Sequence, residues 1–384
     1  MWWRRLKLLW AIGLLALVLL GGCAVPRVSA EDRLFLDLTL EYLDEYRLPQ
    51  QEFQGTTVGG LSAIAYSPQT NQLYALSDDR GRLGPPRFYT LSLSLTKGAD
   101  ALGIEDVTLE SFTELTDAQG NSYAAGAIDP EGMALTPRQT LFISSEGDAN
   151  QGIAPSLGEF DLATGQLKAA FRLPERYLPD GQTPPERGIQ NNLSLEALTT
   201  NMGPGSSTMV EPFRVFTATE SALVQDYDDD PAQALSSRFL HYLIGENQST
   251  LISEHRYPLD LEPQGALLSG LSELLTLDQG GHFLAVERSL TLTGFVAKIY
   301  QIATGGATDT TNIESLKGAP ESINPIRKRL AFDFNAAGVV PENLEGMTLG
   351  PRLPDGSQSL LLVSDNNFAE TQETQFVLMR LSMR

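Results

Sequence analysis

Cysteine and histidine are scarce in this 384-residue chain, and each shortage excludes a class of site. Cys23 is the only cysteine, so the chain cannot form an internal disulfide and its core must be stabilised by packing. The three histidines, His241, His255 and His282, include no pair at a metal-binding spacing. With one cysteine and no such histidine pair, a zinc site is not expected.

Positive charge is also in short supply. The chain has 27 Lys and Arg residues against 48 Asp and Glu residues, which gives a formal net charge of −21. Such a surface repels nucleic acid and anionic lipid head groups, so no nucleic-acid partner is expected. The acidity suits the binding of cations, although it can also serve only to keep the protein in solution. We expect a monomer.

One long apolar run is present, and it lies at the N-terminus. Arg4, Arg5 and Lys7 precede the apolar residues 8–20, and Gly-Gly-Cys23 follows them. A short apolar run with basic residues before it and small residues after it is typical of a secretion signal. The order Leu-Gly-Gly-Cys resembles a bacterial lipoprotein signal, in which Cys23 carries the lipid.

This N-terminal pattern divides the chain into three parts. We expect a signal peptide over residues 1–22, a lipidated end and short tether over residues 23–32, and a single folded domain over residues 33–384. The expected location is outside the cytoplasm, with the lipid anchoring the protein to a bacterial membrane on its periplasmic or cell-surface face. An ordinary cleaved signal and an uncleaved anchor are the alternatives.

Five segments of the chain repeat one pattern. They are GGLSAIAYSPQTNQLYALSDDRG from Gly59, DPEGMALTPRQTLFISSEGD from Asp129, NNLSLEALTT with FRVFTATES from Asn191, GLSELLTLDQGGHFLAVERS from Gly270 and NLEGMTLGPRLPDGSQSLLLVSDNN from Asn343. Each has a small or amide residue, a polar position, an apolar strand, a turn and a second apolar strand that ends in a carboxylate. The polar positions are spaced by 69, 65, 77 and 72 residues, from Ser62 to Glu345. Internal repeats of this kind indicate a repeat-built fold.

Further alternating or apolar runs follow in each repeat, separated by Gly, Pro, Asn and Asp. Four strands in roughly 70 residues are typical of a β-propeller blade. We therefore predict an all-β propeller with five four-stranded blades, or six if residues 303–343 form a degenerate blade. The alternating run of residues 33–46 is predicted to supply the fourth strand of the last blade and to close the ring. A pair of β-sandwiches or a β-helix fits the repeats less well.

The repeated carboxylates are the candidate functional residues, because the innermost strands of a propeller surround a central channel. The first-strand glutamates are Glu131, Glu196, Glu273 and Glu345. The acids at the second-strand ends are Asp78, Asp79, Glu146, Glu220, Glu287 and Asp365. Carboxylates held close together raise one another's pKa unless a cation or an arginine intervenes, and ligand sets made only of oxygen favour calcium. Alternatively, each glutamate latches a neighbouring blade through its backbone, and the later acids cap turns.

The segments DPEGM, NLEGM, RGIQNNLSLEAL, TATES and FLAVERS resemble the phytase-like family, the domain described as the esterase-like activity of phytase. The resemblance extends from about Gly59 to the C-terminus. Three residues depart from the family pattern: Ser194 and Ala197 stand where glycines are expected, and Ser62 stands where the other repeats have Glu. The first two departures make the backbone of that blade less free, and Ser62 puts a fully symmetric ring of acids in doubt.

The resemblance implies calcium-dependent hydrolysis of a small phosphorylated substrate at an acidic rim. It implies catalytic roles for Glu131, Glu196, Glu273 and Glu345, with the second-strand acids as metal ligands. It also implies phosphate-binding roles for Arg80, Arg288 and Arg187, for which interblade salt bridges are the alternative. Two other functions stay open: a two-carboxylate glycosidase that needs no metal, and a non-catalytic binding propeller with a structural ion.

Overall fold

A computed structural model describes residues 2–3, 34–96, 102–182, 184–201, 212–228, 235–246, 248–260, 263, 265–278, 281–318 and 322–383. The chain divides into two compact units, Met1–Leu36 and Asp37–Arg384. In the first unit only Trp2 and Trp3, which are helical, and residues 34–36 are described. The predicted signal peptide, the lipidation site Cys23 and the tether lie outside the described residues. Within the described ranges, no helix is long and apolar enough to cross a membrane.

The described residues of the second unit form β-strands, with two single-turn 3-10 helices at Glu175–Tyr177 and Val224–Asp226. The strands are β1 (Leu38–Leu48), β2 (Gln51–Phe53), β3 (Thr56–Val58), β4 (Leu61–Ser67), β5 (Gln72–Ser77), β6 (Arg87–Leu95), β7 (Ile104–Glu114), β8 (Pro130–Leu135), β9 (Thr140–Ser145), β10 (Ser156–Asp161), β11 (Leu167–Phe171), β12 (Leu195–Thr200), β13 (Phe213–Thr219), β14 (Ser236–Ile244), β15 (Ser249–Pro258), β16 (Leu268–Thr276), β17 (His282–Thr291), β18 (Gly294–Ala303), β19 (Arg327–Asp333), β20 (Asn343–Arg352), β21 (Gln358–Asp365) and β22 (Thr374–Met383).

These strands form five four-stranded antiparallel sheets and one small hairpin, β2–β3. Blade 1 is β4-β5-β6-β7, blade 2 is β8-β9-β10-β11, blade 3 is β12-β13-β14-β15, blade 4 is β16-β17-β18-β19, and blade 5 is β20-β21-β22-β1. The first strand of each blade contacts the first strand of the next, and β20 contacts β4. The protein is therefore a five-bladed β-propeller, as the repeats predicted.

Strand β1 closes the ring. It pairs antiparallel with β22, from Leu38 opposite Met383 to Leu48 opposite Thr374. The prediction that an N-terminal strand completes the last blade is confirmed. The alternative prediction of a sixth blade is wrong. Strand β19 is the fourth strand of blade 4, and the described residues between β18 and β19 form turns and irregular structure.

The apolar core consists of five buried clusters, one at each interface between adjacent blades. In the cluster between blades 5 and 1, for example, Leu361 and Phe376 pack with Ile64 and Tyr89. Each sheet thus buries both of its faces, which explains the near-continuous apolar strands such as LLLV at 360–363. Because no blade can bury its faces alone, the ring folds as a unit and fixes where the inner strands begin.

Candidate metal centre

Each inner strand is bulged near its start, and the bulge defines equivalent positions in the five blades. Pairing with the second strand skips one residue after Leu61, Leu195, Leu271 and Leu344, and two after Pro130. A bulge turns an extra side chain out of the ladder, so these residues are free to face the channel. We call them the bulge positions: Ser62, Glu131, Glu196, Ser272 and Glu345.

A second set of equivalent residues lies at or near the end of the second strand of each blade. The backbone N–H groups of Asp78, Glu146 and Glu220 donate to the carbonyls of Gly60, Asp129 and Ser194 at 2.8, 3.0 and 2.6 Å. In blades 4 and 5 the corresponding pairs are Gly270 with Arg288 and Asn343 with Asp365. We call the second-strand members the rim positions: Asp78, Glu146, Glu220, Arg288 and Asp365. An arginine thus stands in blade 4 where the other four blades have a carboxylate.

Eight carboxylates gather at this end of the channel and form what we call the acidic cluster. Its members are Asp78, Asp129, Glu131, Glu146, Glu196, Glu220, Glu345 and Asp365. Within it, two groups of three each have ligand oxygens within 4.8 Å of one another: Asp129, Glu131 and Glu146, and Glu146, Glu196 and Glu220. Most members are buried, while Asp78 and Glu131 are partly accessible. The cluster can therefore be reached from the channel.

Two arginines neutralise part of this charge. Arg288 lies 2.9 Å from Glu345, 3.2 Å from Glu220 and 3.6 Å from Glu196. Arg80 lies 2.5 Å from Oδ2 of Asp129, and its Nη2 also donates to the amide oxygen of Asn192 at 2.9 Å. Both arginines contact other blades rather than the acid that precedes them. For Arg288, which lies within β17, the reason is that adjacent residues on a strand point to opposite faces. Among the described residues of the cluster, eight carboxylates face two guanidinium groups.

Burial raises the pKa values of the cluster, and repulsion from neighbouring carboxylates raises most of them further. Burial and the nearby Asp129 and Glu220 carboxylates raise the pKa of Glu146 to about 8. Burial raises the pKa of Asp129 to about 6, against the opposing effect of Arg80, and burial raises the pKa of Asp365 to about 6. Burial and neighbouring acids also hold the pKa of Glu131 well above its ordinary value. At neutral pH the cluster must therefore hold either protons or a cation.

Several buried oxygens of the cluster and of residues near it in sequence have no hydrogen-bond donor among the described residues. They are Asp78 Oδ1, Asp129 Oδ1, Ser194 Oγ, Glu220 Oε2 and Asn343 Oδ1. Leaving buried acceptors unsatisfied costs free energy, so such atoms are candidates for coordination to an ion or to water. Carboxylate, hydroxyl and amide oxygens are the ligands of hard divalent cations. The residues present therefore fit a metal ion of that class.

The glutamate predicted for blade 4 is not in this cluster. Glu273 lies one residue beyond the bulge, and its Oε1 accepts from the backbone N–H groups of Leu198 at 3.0 Å and Leu274 at 2.8 Å. The prediction that Glu273 is equivalent to the other first-strand glutamates is wrong. The pairing of β16 with β17 shows that Ser272 occupies the equivalent position. Glu273 is a latch between blades 4 and 3.

Two further predicted ligands also point away from the channel. Asp79 pairs with Arg87 at 2.9 Å, on the side of the strand opposite to Asp78. Glu287 accepts from Lys328 at 2.6 Å and from the hydroxyl of Tyr257 at 2.5 Å. Strand alternation explains both corrections, since each residue neighbours one that faces the channel.

The third predicted phosphate-binding arginine, Arg187, is exposed. It lies on the loop that leads to β12 and also carries Asn192, the partner of Arg80. The structure places it outside the ion pairs of the acidic cluster described above.

Hydrogen bonds between adjacent blades connect the residues around the site. Ser62 donates to the carbonyl of Glu131 at 2.9 Å, and Ser272 donates to the carbonyl of Leu344 at 3.0 Å. Glu146 accepts from the N–H of Ser194 at 2.5 Å. At two bulge positions a serine thus stands in place of a charged residue and forms a hydrogen bond to the next blade. The carboxylates of the acidic cluster belong to blades 1, 2, 3 and 5.

The glycine of the EGM segments is explained by the same close approach. A Cβ atom at Gly132 would lie 2.1 Å from the carbonyl oxygen of Glu196, and one at Gly346 would lie 2.9 Å from the Cα atom of Ala63. No side chain fits at either position without moving a backbone. The repeated glycine lets adjacent inner strands meet and brings the glutamates beside them together.

Sequence reasoning missed Asp129 as a site residue, although a signal was present. An Asx residue stands two positions before the glutamate in both DPEGM and NLEGM, at Asp129 and Asn343. Across the bulge, this spacing puts both side chains beside the rim position of the same blade. The Asx-x-Glu pattern is thus part of the site.

The opposite end of the inner strands has a different character. A cavity of about 290 Å³ is lined there by apolar residues such as Met133 and Leu198 and by the threonines Thr199, Thr276 and Thr348. None of the eight carboxylates lines it. Asp278 also lines this cavity, but the acidic cluster is confined to the end where the inner strands begin.

Comparison with known proteins places this arrangement in a family. A family model described as "Phytase-like: Esterase-like activity of phytase" matches residues 56–368. The chain belongs to this phytase-like family. The match covers all five inner strands and therefore the whole acidic cluster. No curated protein gave a match to the sequence.

Solved structures resemble this phytase-like protein in fold only. The catalytic domain of a GH62 α-L-arabinofuranosidase from Coprinopsis cinerea is 10% identical, with a TM-score of 0.45, and the match covers 89% of this chain and 97% of that one. The calcium-binding protein regucalcin from Agrobacterium tumefaciens is 12% identical, with a TM-score of 0.37, and the match covers 89% and 96%. No residue role follows from likenesses at this level.

Proposed function

We propose that this phytase-like protein is a calcium-dependent phosphoesterase that acts at the acidic end of its channel. The observation that carries the proposal is the cluster of eight carboxylates opposed by two arginines, with buried oxygens that have no donor among the described residues. Calcium accepts six to eight oxygen ligands in flexible geometry, which suits a cluster of mixed carboxylate, hydroxyl and amide groups.

Two groups of carboxylates could hold a cation, and the residues that would hold calcium are those of the group without Arg288: Asp129, Glu131 and Glu146. When bound, the cation would neutralise the carboxylates and polarise a phosphoryl oxygen of the substrate. An anionic substrate would otherwise be repelled by so many carboxylates. Binding of the substrate therefore depends on prior neutralisation of the cluster.

The two arginines have different roles in this proposal. Arg288 is buried among three carboxylates and serves as their counter-charge through its two Nη atoms. Arg80 is 22% exposed and contacts Asp129, so its guanidinium can donate to a phosphate that approaches along the channel. We therefore assign phosphate binding to Arg80.

Glu131 is the carboxylate best placed to move a proton. It is partly accessible, belongs to the candidate metal centre, and has a pKa held high by burial and by Asp129. General acid–base catalysis needs a group that can take up and release a proton beside the reacting atoms. Glu131 would take a proton from the attacking water or return one to the leaving group.

The protein is proposed to work outside the cytoplasm as a monomer anchored through a lipid on Cys23. The basic, apolar and Gly-Gly-Cys order of the N-terminal residues supports this proposal.

Phosphate release tests the proposed function. Protein lacking residues 1–23 would be assayed on a small phosphomonoester, a phosphodiester and phytate, with calcium and with chelator. We expect release from at least one substrate with calcium and loss of release with chelator. Release that persists in chelator, or none from any substrate, would overturn the proposal.

A second candidate function is a binding propeller with a structural ion. The observation that favours it is the depth of Glu146 and Glu220, which are 1% and 0% exposed. For this function calcium would raise the melting temperature, and no substrate of the panel would be hydrolysed.

A further inference from the structure

We propose that the protein holds one exchangeable divalent cation, among Asp129, Glu131 and Glu146, and that Arg288 takes the place of a second cation in the other half of the cluster. This inference rests on the proposed cation site and does not depend on phosphoester hydrolysis. On this proposal the acidic cluster is not a symmetric ring. It consists of two unequal halves, one around Asp129 and one around Glu220, and Glu146 belongs to both candidate groups.

The guanidinium of Arg288 occupies the half formed by Glu196, Glu220 and Glu345. It lies within 3.6 Å of all three and is 5% exposed. Glu196 and Glu220 are two of the three ligands in the second candidate group. A divalent ion bound there would lie against a buried guanidinium of the same sign, which is strongly unfavourable where water cannot screen it.

The backbone of blade 4 is adapted to this contact. A Cβ atom at Gly270 would lie 2.3 Å from both Cγ and Oε1 of Glu220. The Glu220 side chain therefore crosses the backbone of Gly270 on its way to Arg288. Ser272 stands at the bulge position of the same blade, where a glutamate would add one more charge. Three residues of one blade thus provide a positive group, the space for its partner and no additional acid.

The half around Asp129 lacks such a buried positive group. Arg80 contacts Oδ2 of Asp129 from the solvent side, and Oδ1 has no donor among the described residues although Asp129 is only 3% exposed. A cavity of about 30 Å³ lies beside it, lined by Arg80, Arg82 and Asp148 among others. That volume admits a water or an ion. Glu131 and Glu146 do not line this cavity. Asp129 Oδ1 therefore offers a ligand position, and the partly accessible Glu131 lets a cation enter and exchange.

The number of calcium ions retained per chain tests this inference. Wild-type protein, equilibrated with calcium and desalted, is expected to retain one ion by elemental analysis. Asp129→Asn is expected to retain none, whereas Glu220→Gln is expected to retain one. Arg288→Gln is expected to retain two, and Arg288→Lys one, because lysine keeps the positive charge. Arg172→Gln, an exposed arginine remote from the cluster, is the control and is expected to retain one.

The outcomes separate the inference from the proposed function. Two ions in the wild type, or loss of the ion in Glu220→Gln with retention in Asp129→Asn, would overturn the assignment of the two halves. If Arg288→Gln does not fold even with calcium, the Asp129→Asn and Glu220→Gln pair still decides the position of the ion. The expected ion counts without phosphate release would reject the phosphoesterase alone, and phosphate release with the reverse counts would reject this inference alone.

Discussion

Calcium is expected to raise the melting temperature of the desalted protein, and the increase is expected to grow with pH. A ligand that binds only the folded state, and whose free concentration is 100 times its Kd, stabilises that state by about 2.7 kcal/mol. For a domain of this size, about 2 °C of melting temperature corresponds to 1 kcal/mol, so an increase of roughly 5 °C is expected at pH 7. Differential scanning calorimetry with calcium and with chelator measures it.

The pH dependence follows from the raised pKa values of the cluster. Glu146 has a pKa of about 8, against an ordinary value of 4.5, so the folded protein binds this proton more tightly than the unfolded chain does. The stability that this difference provides is present at low pH and is lost as the pH rises from 4.5 through 8. In chelator, the free energy of unfolding should therefore fall by about 2 kcal/mol between pH 6.5 and pH 8 through Glu146 alone, and the melting temperature should fall with it.

The window above pH 6.5 isolates the cluster from an opposing group. Burial lowers the pKa of His241 to about 4, so the stability that depends on neutral His241 is lost as the pH falls from 6.5 through 4. Calcium should remove the decline above pH 6.5, because bound carboxylates no longer need protons. A chelated protein that is as stable at pH 8 as at pH 6.5 would contradict the assignment of the cluster.

Glu131→Gln is expected to reduce calcium-dependent phosphate release by at least about 100-fold, which is the lower end of the effect of removing a general acid or base. The change keeps the size of the side chain and removes one ligand charge and one proton acceptor. Initial rates at saturating calcium and substrate would measure the loss, and circular dichroism would show that the variant is folded.

Glu273→Gln is the matched control for this prediction. Glu273 is buried and lies one residue after the bulge position of its blade. It accepts hydrogen bonds from the backbone N–H groups of Leu198 and Leu274, and a glutamine oxygen can accept them too. Its rate is expected to stay close to that of the wild type. Equal losses in Glu131→Gln and Glu273→Gln would mean that the two glutamates are equivalent and that the bulge register does not select the site.

The ring could be predicted from sequence because its signal is repeated. Five copies of a strand pair at 65 to 77 residues leave few architectures, and the unpaired last repeat needs a partner strand, which β1 provides. The sixth blade was suggested by the length of the segment between β18 and β20 alone. This segment contains β19, which completes blade 4, and irregular connections.

The register of blade 4 could not be predicted by matching residue types. GLSELL offers two polar positions, Ser272 and Glu273, and the similarity to other glutamates favoured the wrong one. Alignment on the leucine before the bulge, as in Leu195 and Leu344, gives the observed register. The same alignment puts Arg288 level with Glu220 and Asp365, so the built-in positive charge was readable once the bulge was known.

Which of two adjacent acids faces the channel also depends on this register. Asp78 and Asp79 are chemically alike, and only strand pairing decides that Asp79 turns away to Arg87. Depth is a further property that sequence does not carry. The raised pKa of Glu146 reflects packing by three blades around it, and no pattern within one repeat contains that information.

The central claim is that the acidic cluster holds a divalent cation beside Asp129. Long-wavelength anomalous diffraction from crystals grown with calcium tests it most directly. We predict one anomalous peak at coordination distance from oxygens of Asp129, Glu131 and Glu146, with none between Glu220 and Arg288. A channel without a peak at saturating calcium, or a peak only at surface acids, would contradict the claim.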